Sequence, residues 1–395
     1  MKRHLILGLP ALTLLAVLFA LAPSFLRASD HADPMALKEP ESNITDLFAF
    51  PKDDQMILIL NIRRALRNPK PYNLAPFEYA VHIDLASPER CASRSCVTFE
   101  NEADRGHYGG TIVAPERLRP DVSIRIKLND DTTLKSISTS GLKVPDERIR
   151  VFTGVRDDPF VFPRFFQRNI IAMVMSVPMA AFPEGQRDWI IWGTAYKEGK
   201  QVDHVGRSNR SQQARFDALN TLPPNEHVAE IMRLMKTWDD RFKFFNGFNE
   251  QYAKGLAALI QTNLQIRKYD LTPDVMIYSN RFPVGFPNGR RLTDDVAAQT
   301  CATGDCILQE ISFIEGGWPR QTVNDKQFLD EWPYLGEPWP DQPEAPPSTK
   351  SIWPYIIGVA LLFAIVSWAV LEIIRRLIMW LWWRWRRKPA VATSH

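Results

Sequence analysis

One uncharged apolar run, Ile352 to Val370, constrains this chain more than any other feature of its sequence. As an α-helix it would be about 28 Å long, close to the thickness of a bilayer's hydrocarbon core. Aromatic residues flank it, with Trp353 and Tyr355 on one side and a tryptophan-rich stretch at 380–385 on the other. Because such side chains favour membrane interfaces, the pattern predicts a transmembrane helix over residues 352–374.

A basic tail, residues 375–395, follows the predicted span and contains six arginine and lysine residues. The positive-inside rule places this tail in the cytosol and the residues before the span on the outside. A buried core helix is the alternative, but the tryptophan–arginine ending disfavours it. Prolines between 338 and 347 predict an extended stalk over residues 341–351.

The N-terminus begins with Met1, Lys2 and Arg3 and continues with an apolar run from Leu5 to Ala22. A positive start followed by such a run is typical of a secretory signal. We therefore predict a signal peptide over residues 1–28, with an uncleaved anchor as the alternative. Either outcome gives a single-pass or two-pass membrane protein with a periplasmic or extracellular main domain and a cytoplasmic C-terminus.

Composition agrees with an exported globular protein. Hydrophobic residues make up 45% and charged residues 24%, and the net charge of +3 is too small to propose a nucleic-acid partner. The four cysteines form two pairs with identical spacing, Cys91/Cys96 and Cys301/Cys306. Local disulfides are the simplest interpretation in an oxidising compartment, and a four-thiolate metal site is the alternative.

Residues 29–340 are predicted to form a mainly β, antiparallel, sandwich-like body. Apolar and polar residues alternate between Phe77 and Leu85, which predicts a half-buried strand. Four further segments are rich in branched and aromatic residues and are also predicted as strands. These segments are Met56–Ile62, Ser123–Leu128, Ile170–Val177 and Trp189–Tyr196.

Helical periodicity replaces the strand pattern from Asn225 to about Lys268, directly after two prolines. The segment predicts a helical insertion in the β body. It contains several large apolar residues that either form a docking surface or pack in the core, and their helical spacing favours the core. They are Met232, Met235, Trp238, Phe242, Phe244 and Phe245.

The sequence contains no phosphate-binding glycine loop, nucleophile elbow or paired-histidine zinc helix. It offers instead a series of segments that we interpret as carboxylate-rich loops. They are Ser29–Pro34, Asn43–Phe50, Gly154–Phe160, Asp203–Arg207 and Gly285–Val296.

The chain resembles the domain-of-unknown-function 4331 family of large exported bacterial proteins in four segments that occur in the same order, Ser29–Pro34, Asn43–Phe50, Gly154–Phe162 and Gly285–Val296. The resemblance covers roughly residues 29–340, and the Gly-Phe-Pro-Asn-Gly-Arg sequence from Gly285 is its most specific part. The resemblance implies an exported domain and does not imply any particular reaction. The other matching segments are Ile83–Asp84, Asn169–Pro178, Pro273–Val275 and Trp332–Leu335.

This sequence also departs from the family pattern at several polar positions. If those positions form a site in relatives, this chain has lost or retuned it. The departures are Asp30, Asp33, Asn43, Phe48, Ser208 and Trp339.

A divalent-cation site is the sharpest chemical hypothesis, because hard cations such as calcium bind several carboxylate and amide oxygens. Two alternatives need no metal. Asp side chains are common in turns and helix caps, and Arg290 or Arg291 could pair with the carboxylates. The predicted ligands are His31, Asp33, Asp46, Asp294 and Asp295.

A second polar set has no assigned chemistry and consists of Asp157, Asp158, Asp203, Arg207, Asn288 and Arg290. His82 and Asp84 share a strand face with Glu78, which suits acid–base work, but a solvated strand face has the same pattern. His204 beside Asp203 is either a dyad or part of a turn.

Three functions follow from these patterns. The first is a membrane-tethered envelope protein that binds or scaffolds a protein partner, with a divalent cation such as calcium as its possible cofactor. The second is a metal-dependent envelope enzyme, hydrolase-like, with His31, Asp33, Asp46 and Asp294 as ligands. The third is an accessory subunit of a membrane complex. The lipid bilayer is a predicted partner in all three.

Overall fold

The computed structural model describes residues 39–66, 72–87, 91, 96–208, 214–241, 271–304, 306–316, 319–340 and 353–386. The predicted signal peptide and stalk lie outside these residues. The chain divides into two compact units. One comprises residues 25–346, called the body below, and the other contains the C-terminal helix.

Antiparallel strands build the body, which confirms the predicted fold class. The five strands predicted from the sequence all form. The strands are β1 (Ile44–Lys52), β2 (Gln55–Leu66), β3 (Phe77–Asp84), β4 (Val97–Thr98), β5 (Thr111–Ile112), β6 (Val122–Leu128), β7 (Leu134–Ser140), β8 (Arg150–Asp157), β9 (Asn169–Pro178), β10 (Asp188–Lys197), β11 (Lys200–Val205) and β12 (Met276–Ser279).

Within the described ranges these strands form two large sheets and one small sheet. The first has the order β1-β2-β9-β8, the second has the order β11-β10-β3-β6-β7 with β12 added on β10, and β4 pairs with β5. Three segments interpreted above as loops therefore lie largely in strands β1, β8 and β11. The interpretation of these segments as loops is therefore wrong. Their carboxylates are buried, and within a strand such a polar side chain interrupts the apolar pattern from which a buried strand is predicted.

The main core lies between the two large sheets. Alternate residues of β2 and β9 face alternate residues of β3, β6 and β10, as expected for a strand period of two. Leu58, Met173, Val81 and Ile191 are fully or almost fully buried in this layer. Burial of such side chains stabilises the fold by roughly 1.5–3 kcal/mol each.

Both large sheets are also covered on their outer faces. Phe48, Ile59 and Val174 pack under Leu292 and Leu335, which come from the C-terminal part of the body. A second cluster joins the Cys91–Cys96 loop to β10 and β12. The prediction of a half-buried β3 is therefore wrong, because its polar face is covered as well.

Five α-helices and several short 3-10 turns complete the described residues. The α-helices are α1 (Glu102–Tyr108), α2 (Pro224–Arg241), α3 (Val296–Ala302), α4 (Ile307–Gly316) and α5 (Trp353–Arg386). The 3-10 turns are Pro40–Ser42, Pro115–Arg117, Asp146–Arg148, Pro163–Phe165, Met179–Ala181 and Ala214–Thr221.

Helix α2 begins where the helical insertion is predicted to begin. Met235 packs against the small cluster of Phe216, Leu219 and Ile231, whereas Met232 is exposed, so the core interpretation is wrong for Met232. The side chain of Trp238 and residues 242–270, including Phe242, Phe244 and Phe245, lie outside what the structure describes.

Helix α5 is 34 residues long and extends twelve residues past the predicted end of the span at 374. Its segment Ile357–Arg384 is long and apolar enough to cross a membrane, and none of its most apolar part is buried. Both predicted local disulfides, Cys91–Cys96 and Cys301–Cys306, form in the body. In the chain-entropy picture each stabilises the fold by about 2 kcal/mol.

Candidate functional site

Asp46 lies in β1 on the outer face of the four-stranded sheet, directly opposite Asn61 of β2. Residues opposite one another in an antiparallel pair point to the same face, so the two polar side chains are neighbours. Both are buried, and Phe48 and Ile59 continue the same face as apolar residues. A carboxylate and an amide thus sit in an otherwise apolar layer.

Arg290 reaches this point from a loop far along the chain. Its backbone exchanges hydrogen bonds with Ala49 of β1, at 2.9 and 3.2 Å. Gly289 makes the approach possible, because its φ is +70° and a Cβ there would lie 2.6 Å from the Ala49 carbonyl oxygen. Arg290 Nη1 then donates to Asp46 Oδ1 at 2.6 Å, with the guanidinium 4.0 Å from the Phe48 ring centroid.

The Asp46–Arg290 pair is sealed from solvent, since the side chains are 4% and 2% exposed. Burial raises the pKa of Asp46, and the charge and hydrogen bond of Arg290 act in the opposite direction. Such a pair cross-links β1 to the loop, and the carboxylate oxygen bound by Arg290 is not available as an open metal ligand. Neither amide atom of Asn61 has a hydrogen-bond partner among the described residues.

The other two described members of the predicted metal set also face arginines. Asp294 accepts hydrogen bonds from the Phe286 and Arg291 backbone amides, each at 2.8 Å, and from the Arg291 guanidinium. Asp295 caps α3 through the Ala298 amide at 3.1 Å and forms an ion pair with Arg320. These contacts organise the chain around the start of α3.

In the ranges that the structure describes, no three His, Cys, Asp or Glu side chains form a group that could hold a metal ion. His31 and Asp33 lie outside those ranges. The five-residue metal site therefore stays a prediction, and its three described members each have a structural partner.

Asp203 and Arg207 belong to a second buried centre, which is organised by Asp274. The Asp274 carboxylate accepts from the Gly206 and Arg207 amides at 3.2 and 2.8 Å, and its backbone carbonyl oxygen lies 2.7 Å from His204 Nε2. The Asp274 amide in turn donates to His227 Nδ1 at 3.2 Å. One aspartate thereby joins β11, its following loop and α2.

The remaining contacts of this centre are structural as well. Asp203 Oδ2 accepts from the Ile44 amide at 2.6 Å and ties the second sheet to the first. The Arg207 guanidinium lies 4.1 Å from the Tyr108 ring centroid. His204 and His227 pack edge to face with centroids 4.7 Å apart. The hypothesis of a His204–Asp203 dyad is wrong, because His204 Nε2 bonds the backbone carbonyl oxygen of Asp274 and not the Asp203 carboxylate.

Burial disfavours the charged form of two histidines, His204 and His82. Burial lowers the pKa of His204, although the Asp274 carboxylate 3.7 Å away acts in the opposite direction. Burial also lowers the pKa of His82 to about 3, and the charge of Arg125 adds to this effect. His82 lies 2.8 Å from Ser123 Oγ and 2.9 Å from Thr194 Oγ1. A buried imidazole that is neutral near pH 7 is a poor general acid.

Asp157 and Asp158 lie at the end of β8, at a third buried centre. Asp157 Oδ1 accepts from Trp339 Nε1 at 2.5 Å, and its Oδ2 accepts from Asn324 Nδ2 at 2.6 Å. Asn169 of β9 holds the Trp339 backbone through its side-chain oxygen and amide, at 2.8 and 2.9 Å. Asp158 Oδ1 accepts from the Phe160 amide at 3.1 Å and shapes the turn after the strand.

The Asp157 carboxylate gives the body a pH-dependent stability. Burial raises its pKa from 3.8 to about 6. Between these two pH values the folded state holds a proton that the unfolded chain has lost, so the contribution of Asp157 to stability is complete below pH 3.8 and is lost as pH rises through 6. A shift of this size corresponds to about 3 kcal/mol.

We expect the unfolding free energy of wild type minus that of Asp157→Asn to fall by about 3 kcal/mol between pH 3.8 and pH 6. The hydrogen bond lost in the variant gives a constant offset and no slope. Urea unfolding of the full chain in detergent, followed by near-ultraviolet circular dichroism, measures the difference at each pH. A difference that does not change with pH would show that Asp157 titrates normally.

Asn288 fastens the loop that presents Arg290. Its side-chain oxygen accepts from the Ser279 amide at 2.7 Å, and its Nδ2 donates to the carbonyl oxygens of Ser279, Phe282 and Pro283. The predicted polar set is thus divided among separate centres: Asp203 and Arg207 share one, and Asp157 and Asp158 share another.

Asn61, Asp274 and His227 are not among the residues predicted as site residues from the sequence. Two of them carry a signal: Asn61 is an amide inside the apolar run from Met56 to Ile62, and Asp274 lies in the matching segment Pro273–Val275.

No model of a known protein family matches this chain, and no curated protein matches it either.

Proposed function

We propose that this protein is a membrane-tethered binding or scaffold protein of the cell envelope, with its body outside the cytosol and its tail inside. The observation that carries the proposal is the apolar helix α5, of which no part of the apolar window is buried. A helix of this length and composition is stable when lipid surrounds it. The two disulfides of the body favour an oxidising compartment.

The polar centres of the body support a binding or scaffold role. Asp46, Asp157 and Asp274 each join segments that are distant in sequence, and their carboxylates accept hydrogen bonds from arginine, tryptophan, asparagine or backbone donors. Such contacts fix the relative positions of strands and loops. A rigid body on a tether presents its surface to partners at small conformational cost. The resemblance to the domain-of-unknown-function 4331 family remains a prediction and implies the same export.

Cysteine labelling in spheroplasts tests the topology. Lys135 is exposed on β7, and Ser394 lies in the tail. We expect a membrane-impermeant maleimide to label Lys135→Cys in intact spheroplasts and Ser394→Cys only after permeabilisation, because the bilayer separates the two. The four natural cysteines are paired and serve as an unreactive background. The opposite labelling order would overturn the proposed orientation, and release of the chain by alkaline carbonate would overturn the tether.

A further inference from the structure

Helix α5 is longer than a membrane's hydrocarbon core. Its 34 residues span about 51 Å at about 1.5 Å per residue, against about 30 Å of hydrocarbon. The uncharged run ends before Glu372, which forms ion pairs with Arg375 and Arg376 at 2.6 and 3.0 Å. When the segment Ile357–Arg384, about 42 Å long, crosses a bilayer of about 40–45 Å including its headgroups, the last turns of the helix, residues 377–386, lie at the boundary between acyl chains and headgroups. These residues are called the collar below.

The collar is apolar on every side and basic at its end. Residues 377–383 are seven consecutive apolar or aromatic residues, which make about two turns and leave no polar face. Their side chains are between 50% and 60% exposed. The Arg384 guanidinium lies 5.0 Å from the Trp380 ring centroid. Arg386, Arg387 and Lys388 follow, and no acidic residue occurs after Glu372.

We propose that the collar binds the headgroups of anionic phospholipids in the leaflet at the C-terminal end of the span. The inference rests on the proposed membrane tether. Apolar side chains on all sides suit a surrounding lipid medium better than a partner that contacts one face. The tryptophans occupy the boundary between acyl chains and headgroups, and the arginines bond phosphate oxygens. Because Glu372 neutralises part of the charge of Arg375 and Arg376, lipid selectivity comes mainly from Arg384 and Arg386 of the collar and from Arg387 and Lys388, which follow it directly.

Lipid retention by the full chain tests the inference. The chain is reconstituted in vesicles of phosphatidylcholine with a minor fraction of phosphatidylglycerol, extracted gently, and its bound lipids are quantified by mass spectrometry. We expect phosphatidylglycerol to be enriched over its vesicle fraction by about fivefold or more, since a basic residue near an anionic surface contributes that much. Replacing Arg384, Arg386, Arg387 and Lys388 by glutamine should return the ratio to that of the vesicle.

A matched control removes the same number of exposed positive charges from the body, with Arg117, Lys135, Arg187 and Lys200 replaced by glutamine. This variant should keep the enrichment. Equal enrichment in wild type and the collar variant, with both still embedded in vesicles, contradicts lipid binding by the collar and leaves the proposed membrane tether standing. Failure of the wild-type chain to embed in the vesicles overturns both. Loss of enrichment in the control alone assigns lipid selectivity to the body and also overturns the inference.

Discussion

Replacing Arg290 by methionine is expected to lower the free energy of unfolding by about 3–5 kcal/mol, the usual cost of leaving one partner of a buried ion pair alone. Asp46 would remain in an apolar layer without the donor that now lies 2.6 Å away. The contact of the guanidinium with Phe48 would be lost as well. Urea unfolding of the full chain in detergent measures the change.

Two further variants identify the cause. Asp46→Leu combined with Arg290→Met removes both charges, so it should recover most of the stability, because no unpaired charge stays buried. Arg233→Met breaks the exposed pair with Glu230 on α2 and should change the unfolding midpoint little, since solvent screens that pair. If the double variant is no more stable than Arg290→Met, the loss comes from packing and not from the unpaired carboxylate.

Gly206→Ala should be the second severe substitution, with a loss of about 3 kcal/mol or more from steric overlap and broken hydrogen bonds. A Cβ at this position would lie 2.2 Å from the Asp274 carbonyl oxygen and 2.5 Å from Val275 Cα. Both atoms belong to backbone, so the loop after β11 would have to move away from the segment before β12. That movement would break the bonds from the Gly206 and Arg207 amides to Asp274.

Gly106→Ala is the matched control for this substitution. Gly106 lies in α1, and a Cβ there would meet only Thr303 Cγ2, at an ordinary 3.7 Å. Alanine favours a helix over glycine by up to about 1 kcal/mol, so this variant should be as stable as wild type or more stable. Near-ultraviolet circular dichroism during thermal unfolding compares the two. Equal midpoints for Gly206→Ala and Gly106→Ala would contradict the tight approach of the two segments.

The sequence alone was sufficient where the signal is local. The five predicted strands form because their side chains repeat with the period of a strand, and α2 begins at its prolines. Helix α5 follows from an uninterrupted apolar run, and each disulfide joins cysteines only five residues apart. Hidden strands such as β1 were missed, because polar side chains interrupt the apolar pattern of a strand that is buried on both faces.

Only the tertiary structure decided the partners of the polar residues. Asp46 and Arg290 are separated by 244 positions, and Asp157 and Trp339 by 182. The sequence shows where a carboxylate lies but not which distant donor reaches it, so the partners of the described carboxylates could not be predicted. In the folded body an arginine, an indole or a backbone amide is that donor, since burial of a charge requires a partner and chain topology determines which donor arrives.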